Sequence, residues 1–282
     1  MRNFFHSHWK AIVALVLLIL VAVLTVSPSS TSAAAFAPEL AERLRRHVDA
    51  IASSEHNTGT PAALERASVY IETALAQAGY IPTRQEYMSG GQRVRNIEAA
   101  LGNVAQGKRP DRIFIVGAHV DLAPGAPGAN DKGSGTAAVL ELARLLRTMQ
   151  PGAGTEVRFV FFVNEEPRWL IGEHRGSFIA FAGTTASSRL VREALAAFRD
   201  VSDFPAEGLA APAHTTGVTL SDHASYQRHG YPALMITDTA FLRYPYYRTQ
   251  EDTPEKITYD SMARVVAGLA RTIAVLAGGT QG

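Results

Sequence analysis

The chain has 282 residues, a net charge of +1 from 27 Lys and Arg against 26 Asp and Glu, and no cysteine. That balance marks no nucleic-acid surface and no polyanionic partner. The missing cysteine excludes disulfides, thiolate metal ligands, a cysteine nucleophile and a lipid-modified N-terminal cysteine.

Ala11 to Val26 is apolar throughout except for Thr25, with Arg2 and Lys10 before it and a Ser/Ala-rich stretch ending in Ala33-Ala34-Ala35 after it. This reads as an export signal. Residues 1–37 form a signal peptide or membrane anchor plus a Ser/Ala linker, and residues 38–282 form one folded domain. Cleaved or anchored, the basic flank stays in the cytoplasm and the domain lies outside it.

Pro38 to Ser53 and Pro61 to Ala78 place apolar residues at helical spacing: Leu40, Leu44, Val48 and Ile51, then Leu64, Ala67, Ile71 and Leu75. Thr60 is a candidate cap for the second helix, with Pro61 at its first position and Gly79 past its end. His47 and His56 read as half-buried or solvated histidines. Thr83 to Tyr87 and Val94 to Leu101 read as an antiparallel pair joined at Ser89-Gly90-Gly91. Gly102 to Lys108 matches most of a phosphate-loop pattern, but Arg109 stands where Ser or Thr is needed and Pro110 follows, so it reads as a surface turn.

Ile113 to Val116 and Val157 to Val163 are strand-length and show little polar alternation, which fits strands of a parallel sheet. Gly133 to Met149 is apolar nearly all round and reads as a buried helix. Ser187 to Asp200 and Tyr259 to Leu276 read as amphipathic helices, and Tyr231 to Thr237 as a third apolar strand ending at Asp238. Strands alternating with helices imply helix layers on both faces of the sheet. The expected fold is α/β, a three-layer α/β/α sandwich with a mostly parallel mixed sheet.

Chemistry gathers at two strand ends. His119 and Asp121 close the first apolar run, Glu165 and Glu166 close the second, and Asp131 follows in a Gly/Pro loop. Ligand crevices in open α/β sheets lie outside the carboxyl ends of the strands. Two adjacent carboxylates after an apolar strand cost several kcal/mol if unpaired. A divalent metal would neutralise one and leave the other as a base. No Gly-x-Ser-x-Gly elbow and no His-Glu-x-x-His helix is present, which disfavours a serine hydrolase and a thermolysin-type protease.

The set Gly117-Ala118-His119-Val120-Asp121, Gly128 to Gly135 (GANDKGSG), Asn164-Glu165-Glu166-Pro167, Ser221-Asp222-His223 and Glu251-Asp252-Thr253 resembles metallopeptidase family 28, the co-catalytic zinc aminopeptidases and their relatives. The resemblance covers nearly everything after Pro38. It implies two zinc ions: His119 on one, Glu166 on the other and Asp131 bridging them. Glu165 would be the general base on a metal-bound water, and Asp121 would orient His119. The implied activity is removal of the N-terminal residue of a peptide substrate.

The resemblance breaks twice. The segment that should carry a further core strand ending in an acid is absent after Gly176-Ser177, and Arg248 stands where a ligand histidine is expected. Each zinc is then one protein ligand short of the usual three. His223, His174 and Asp238 are candidate substitutes. Arg248 could instead fork onto Asp131 and Glu166 and take over the charge compensation of a metal. An inactive pseudopeptidase, serving as a membrane-associated binding module, is therefore the alternative to a zinc aminopeptidase. A glutaminyl-cyclase-type acyl transferase ranks lowest, because its single metal uses the histidine replaced by Arg248.

Overall fold

A computed structural model describes residues 31–89, 91–163, 178–215 and 217–279, with side chains from residue 38 onward. The apolar run 11–26, Glu165, Glu166 and His174 lie outside the described residues. Contacts divide the chain into Met1–Pro38 and Glu39–Gly282, and the core lies in the second unit.

Helix α1 spans Thr31–Ile51, seven residues earlier than expected, because the Ser/Ala stretch before Pro38 is itself helical; alanine has the highest helix propensity. Leu40, Leu44, Val48 and Ile51 are buried as the periodicity predicts. Helix α2 (Pro61–Gln77) buries Leu64, Ala67, Ile71 and Leu75. Thr60 makes no side-chain cap; its hydroxyl accepts a hydrogen bond from the Asn57 N–H at 2.9 Å and closes the preceding turn.

Strands β1 (Thr83–Ser89) and β2 (Gln92–Asn103) form the expected hairpin. Strand β2 pairs antiparallel with β4 (Thr155–Phe162), and β4 pairs parallel with β3 (Arg112–His119), giving the order β1-β2-β4-β3. The phosphate-loop look-alike lies where β2 runs out into an exposed turn. A second sheet has the order β6-β5-β7, with β5 (Ile179–Thr184) parallel to β6 (Ala206–Ala211) and antiparallel to β7 (Met235–Thr237). Strand β6 escaped the sequence reading because four of its six residues are exposed and it carries no apolar pattern. The expected strand at 231–237 shrinks to its last three residues, with Tyr231 exposed.

Parallel and antiparallel pairings coexist in each of the two sheets, so both are mixed. Among the described residues β3 ends one sheet and β7 ends the other. Helix α3 (Gly135–Leu146) packs on β3 and β4, and α4 (Ser188–Val201) on β5 and β6. Two short helices follow, α5 (His223–Arg228) and α6 (Ala240–Arg243). Helix α7 (Tyr259–Leu276) packs against both α3 and α4 and so ties the helix layers of the two sheets together. On β3, Phe114 and Val116 pack against the core while Ile113 and Ile115 stay exposed, as alternation along a strand requires. Among the described residues no helix is long and apolar enough to cross a membrane.

Glu141 is a buried charge that the apolar reading of α3 passed over. It is 0% exposed, and its carboxylate accepts from Arg43 Nε (3.1 Å), His47 Nε2 (3.1 Å) and Arg144 Nε (2.7 Å). Two of those donors belong to α1, so the cluster pins α1 to α3. His47 is half-buried here, as expected. His56 is not: it is 1% exposed, with Nδ1 donating to the Ser54 carbonyl, because its loop is folded under the segment after β3.

Candidate active-site crevice

The parallel register sets His119 opposite Phe162, so β3 and β4 end at the same level. His119 is fully buried. Its Nδ1 donates to the Asp121 backbone carbonyl at 2.9 Å, while the nearest Asp121 carboxylate oxygen stands 3.8 Å away. The backbone of Asp121, rather than its carboxylate, therefore fixes the ring at hydrogen-bonding distance. The Thr136 hydroxyl, from the first turn of α3, donates to the His119 carbonyl at 2.9 Å. Burial, with the Lys132 charge second, pushes the imidazole down to about 3, and Asp131 only partly opposes them. His119 is a neutral ring at physiological pH.

Asp131 sits in a loop that starts at Gly128, whose φ of 64° is left-handed. An added Cβ there would lie 2.6 Å from Leu122 Cδ2 and 2.8 Å from the Asp131 carbonyl, so glycine is required. The loop is held from below by Asp252, 0% exposed. One of its carboxylate oxygens accepts from the Asn130 N–H (2.8 Å) and the Tyr244 hydroxyl (3.0 Å), the other from the Asp131 N–H (3.2 Å), and its backbone carbonyl accepts from the Ala129 N–H (3.1 Å). Burial nevertheless raises the Asp252 carboxyl above its ordinary range, and it pushes the Tyr244 phenol well up.

Arg248 Nε reaches Asp131 Oδ2 at 3.2 Å. The guanidinium also lies over the Tyr247 ring, 5.2 Å from its centroid. Asp222, at the start of α5, is pushed up to about 6, first by burial; Lys132 opposes that rise and Asp121 adds to it.

Among the described residues, the substitute ligands His223 and Asp238 do not join His119 and Asp131 in a metal-binding group. His223 Nε2 donates to the Val218 carbonyl at 2.7 Å. Asp238 accepts from Asn130 Nδ2 (3.0 Å) and the Ala240 N–H (2.9 Å). Among the described residues no three His, Asp or Glu side chains gather as a metal requires. His119 and Asp131 are brought to one crevice, but Asp131 is already engaged by a cation, so the described donor set does not fit a zinc ion. Lys132, Asp222, Tyr244 and the structural role of Asp252 were missed from sequence. Asp252 and Asp222 stand inside the quoted motif runs, which was the available signal.

The family model for peptidase family M28 matches residues 100–177 and 170–273. The uncharacterized protein YfbL of Escherichia coli (strain K12) is 31% identical over 261 residues, covering 73% of this chain and 78% of YfbL. Aminopeptidase YwaD of Bacillus subtilis (strain 168) is 43% identical over 67 residues, 24% of this chain but only 14% of YwaD. The structure of the aminopeptidase from Aneurinibacillus sp. strain AM-1 superposes with a TM-score of 0.66 at 16% identity, covering 86% of this chain and 94% of that one, a likeness of fold. The two matches to the family model take in more than half of the chain and both strand ends of the crevice. With YfbL matched over most of its length, the chain belongs to peptidase family M28, and that membership supports a peptidase function.

Proposed function

We propose that this chain is an exported protein that engages the amino end of peptides in the crevice outside β3 and β4. The carrying observation is the charge of that crevice. Asp121, Asp131, Asp222 and Asp238 gather there against Lys132 and Arg248, and Asp222 is held above its ordinary range by burial and by Asp121. A peptide ammonium is the group that such a surplus of carboxylates stabilises. The names of the aminopeptidase relatives agree with an amino-end ligand. Export rests on the basic flank and apolar run at residues 2–26.

The test is fluorescence anisotropy with a labelled short peptide, its amino end free or acetylated. The free form should bind at least about tenfold more tightly, a difference of about 1.4 kcal/mol, and Asp222→Asn should remove most of that preference. Equal binding of the two forms would overturn the reading.

A second reading is zinc-dependent aminopeptidase hydrolysis, with His119, Asp131 and Glu166 as ligands and Glu165 as base. It is favoured by the buried His119 whose Nδ1 is tied back to Asp121. The described residues do not complete that site. Release of a coumarin reporter from an aminoacyl amide, abolished in Glu165→Gln, would establish it; activity unchanged in that variant would exclude this site as its source.

A further inference from the structure

We propose that this crevice is closed to a divalent metal at Asp131 because the chain carries its own cation there: Arg248 holds the carboxylate that a metal would have to share. The inference concerns the crevice proposed to take a peptide end, but it does not depend on peptide binding.

The backbone presents Arg248 on purpose. Its φ of 58° is left-handed, and among the described residues Thr239 alone shares that property outside glycine. A long side chain is uncommon in this region and persists where the surroundings hold it. The surroundings do hold it: the Asp252 N–H donates to the Thr249 carbonyl at 3.2 Å, the Thr249 N–H to the Tyr246 carbonyl at 3.0 Å, and Tyr244 is bound to Asp252. The side chain that results is 18% exposed and the carboxylate it meets 6% exposed, so the pair is shielded from solvent screening.

Its partner is fixed just as firmly. Asp252 binds the Asn130 and Asp131 N–H groups and so sets the loop that aims Asp131 at the guanidinium. A zinc ion bound to an Asp oxygen sits about 2 Å from it. At Asp131 Oδ2 it would lie a few ångströms from a guanidinium that is never deprotonated, and repulsion of a doubly charged ion at that range lowers its binding constant by orders of magnitude.

A further sequence feature agrees. The alignment with YfbL runs over 261 positions yet takes in only 73% of the 282 residues here, so it contains positions this chain lacks. The two matches of the family model overlap at residues 170–177, between β4 and β5. A chain that lacks positions its relative has offers fewer donors from which to build a metal site.

The experiment uses the full chain, dialysed against zinc chloride and then buffer, with zinc measured by plasma mass spectrometry and melting followed with and without chelator. The wild type should retain no stoichiometric zinc, and its melting temperature should not respond to zinc or chelator. Arg248→His removes the fixed charge and offers a neutral imidazole, and should bind zinc at least about tenfold more tightly, with a melting temperature that rises with zinc. If Arg248→His does not fold, Arg248→Gln, neutral and similar in length, carries the same test. Arg248→Lys, which keeps the charge, should stay without zinc. One or more zinc ions per wild-type chain, or no gain in a folded neutral variant, would overturn the inference. Peptide binding measured in chelator separates its failure from that of the proposed function.

Discussion

Replacing Asp252 should show how much of the crevice depends on one buried carboxylate. Asp252→Ala strands the Asn130 N–H, the Asp131 N–H and the Tyr244 hydroxyl, which now donate to it at 2.8, 3.2 and 3.0 Å. A stranded buried donor costs about 1–3 kcal/mol. Tyr244 can turn toward water, whereas the two backbone groups cannot. Against this, the Asp252 carboxyl lies above its ordinary range because burial outweighs its donors, so removing the charge recovers part of the loss. The net cost should be about 2–4 kcal/mol. Asp252→Asn, with its carbonyl turned to Asn130 and Tyr244, strands only the Asp131 N–H and should cost about half as much. Urea unfolding at pH 7 followed by far-ultraviolet circular dichroism measures both variants. An alanine variant within about 1 kcal/mol of wild type, or an asparagine variant less stable than the alanine one, would refute the reasoning.

Burial pushes the Glu141 carboxyl up, but its three donors overcome this and hold it down to about 2. A carboxyl depressed in the folded state contributes stability above its unfolded value, and that stability is lost as pH falls from about 4.5 toward 2. Glu141→Gln should therefore cost about 2–3 kcal/mol at pH 7, allowing for the partial exposure of Arg43 and Arg144, and the gap to wild type should narrow below about pH 4.5 and close as pH falls to about 2 in pH-resolved urea melts. A gap independent of pH would show that packing, not charge, is what the residue supplies. Gly128→Ala puts a methyl group against Leu122 and the Asp131 carbonyl in a left-handed backbone, and should cost about 1–3 kcal/mol in the same assay; a variant as stable as wild type would mean that the loop before Asp131 is not tightly set.

The one-dimensional pattern determined most of the scaffold. Apolar spacing of 3.6 located α1, α2, α4 and α7 and their buried faces, because a helix shows its core side in local order along the chain. The hairpin of β1 and β2 and the parallel pair of β3 and β4 followed from turn residues and unbroken apolar runs, which are also local. The pairing of Arg248 with Asp131 was open in sequence as one of several arrangements, since the two residues are 117 positions apart and only the fold brings them within 3.2 Å. Tertiary structure alone decided that Glu141 is buried among three donors in an otherwise apolar helix, that His56 is in the interior, and that Asp252 is the floor of the loop bearing Asp131. It also decided that β6 is a strand, because an exposed edge strand has no core face to mark it in the sequence. The shared reason is that polar residues acquire their roles from partners distant in the chain, whereas apolar periodicity is written into each element by itself.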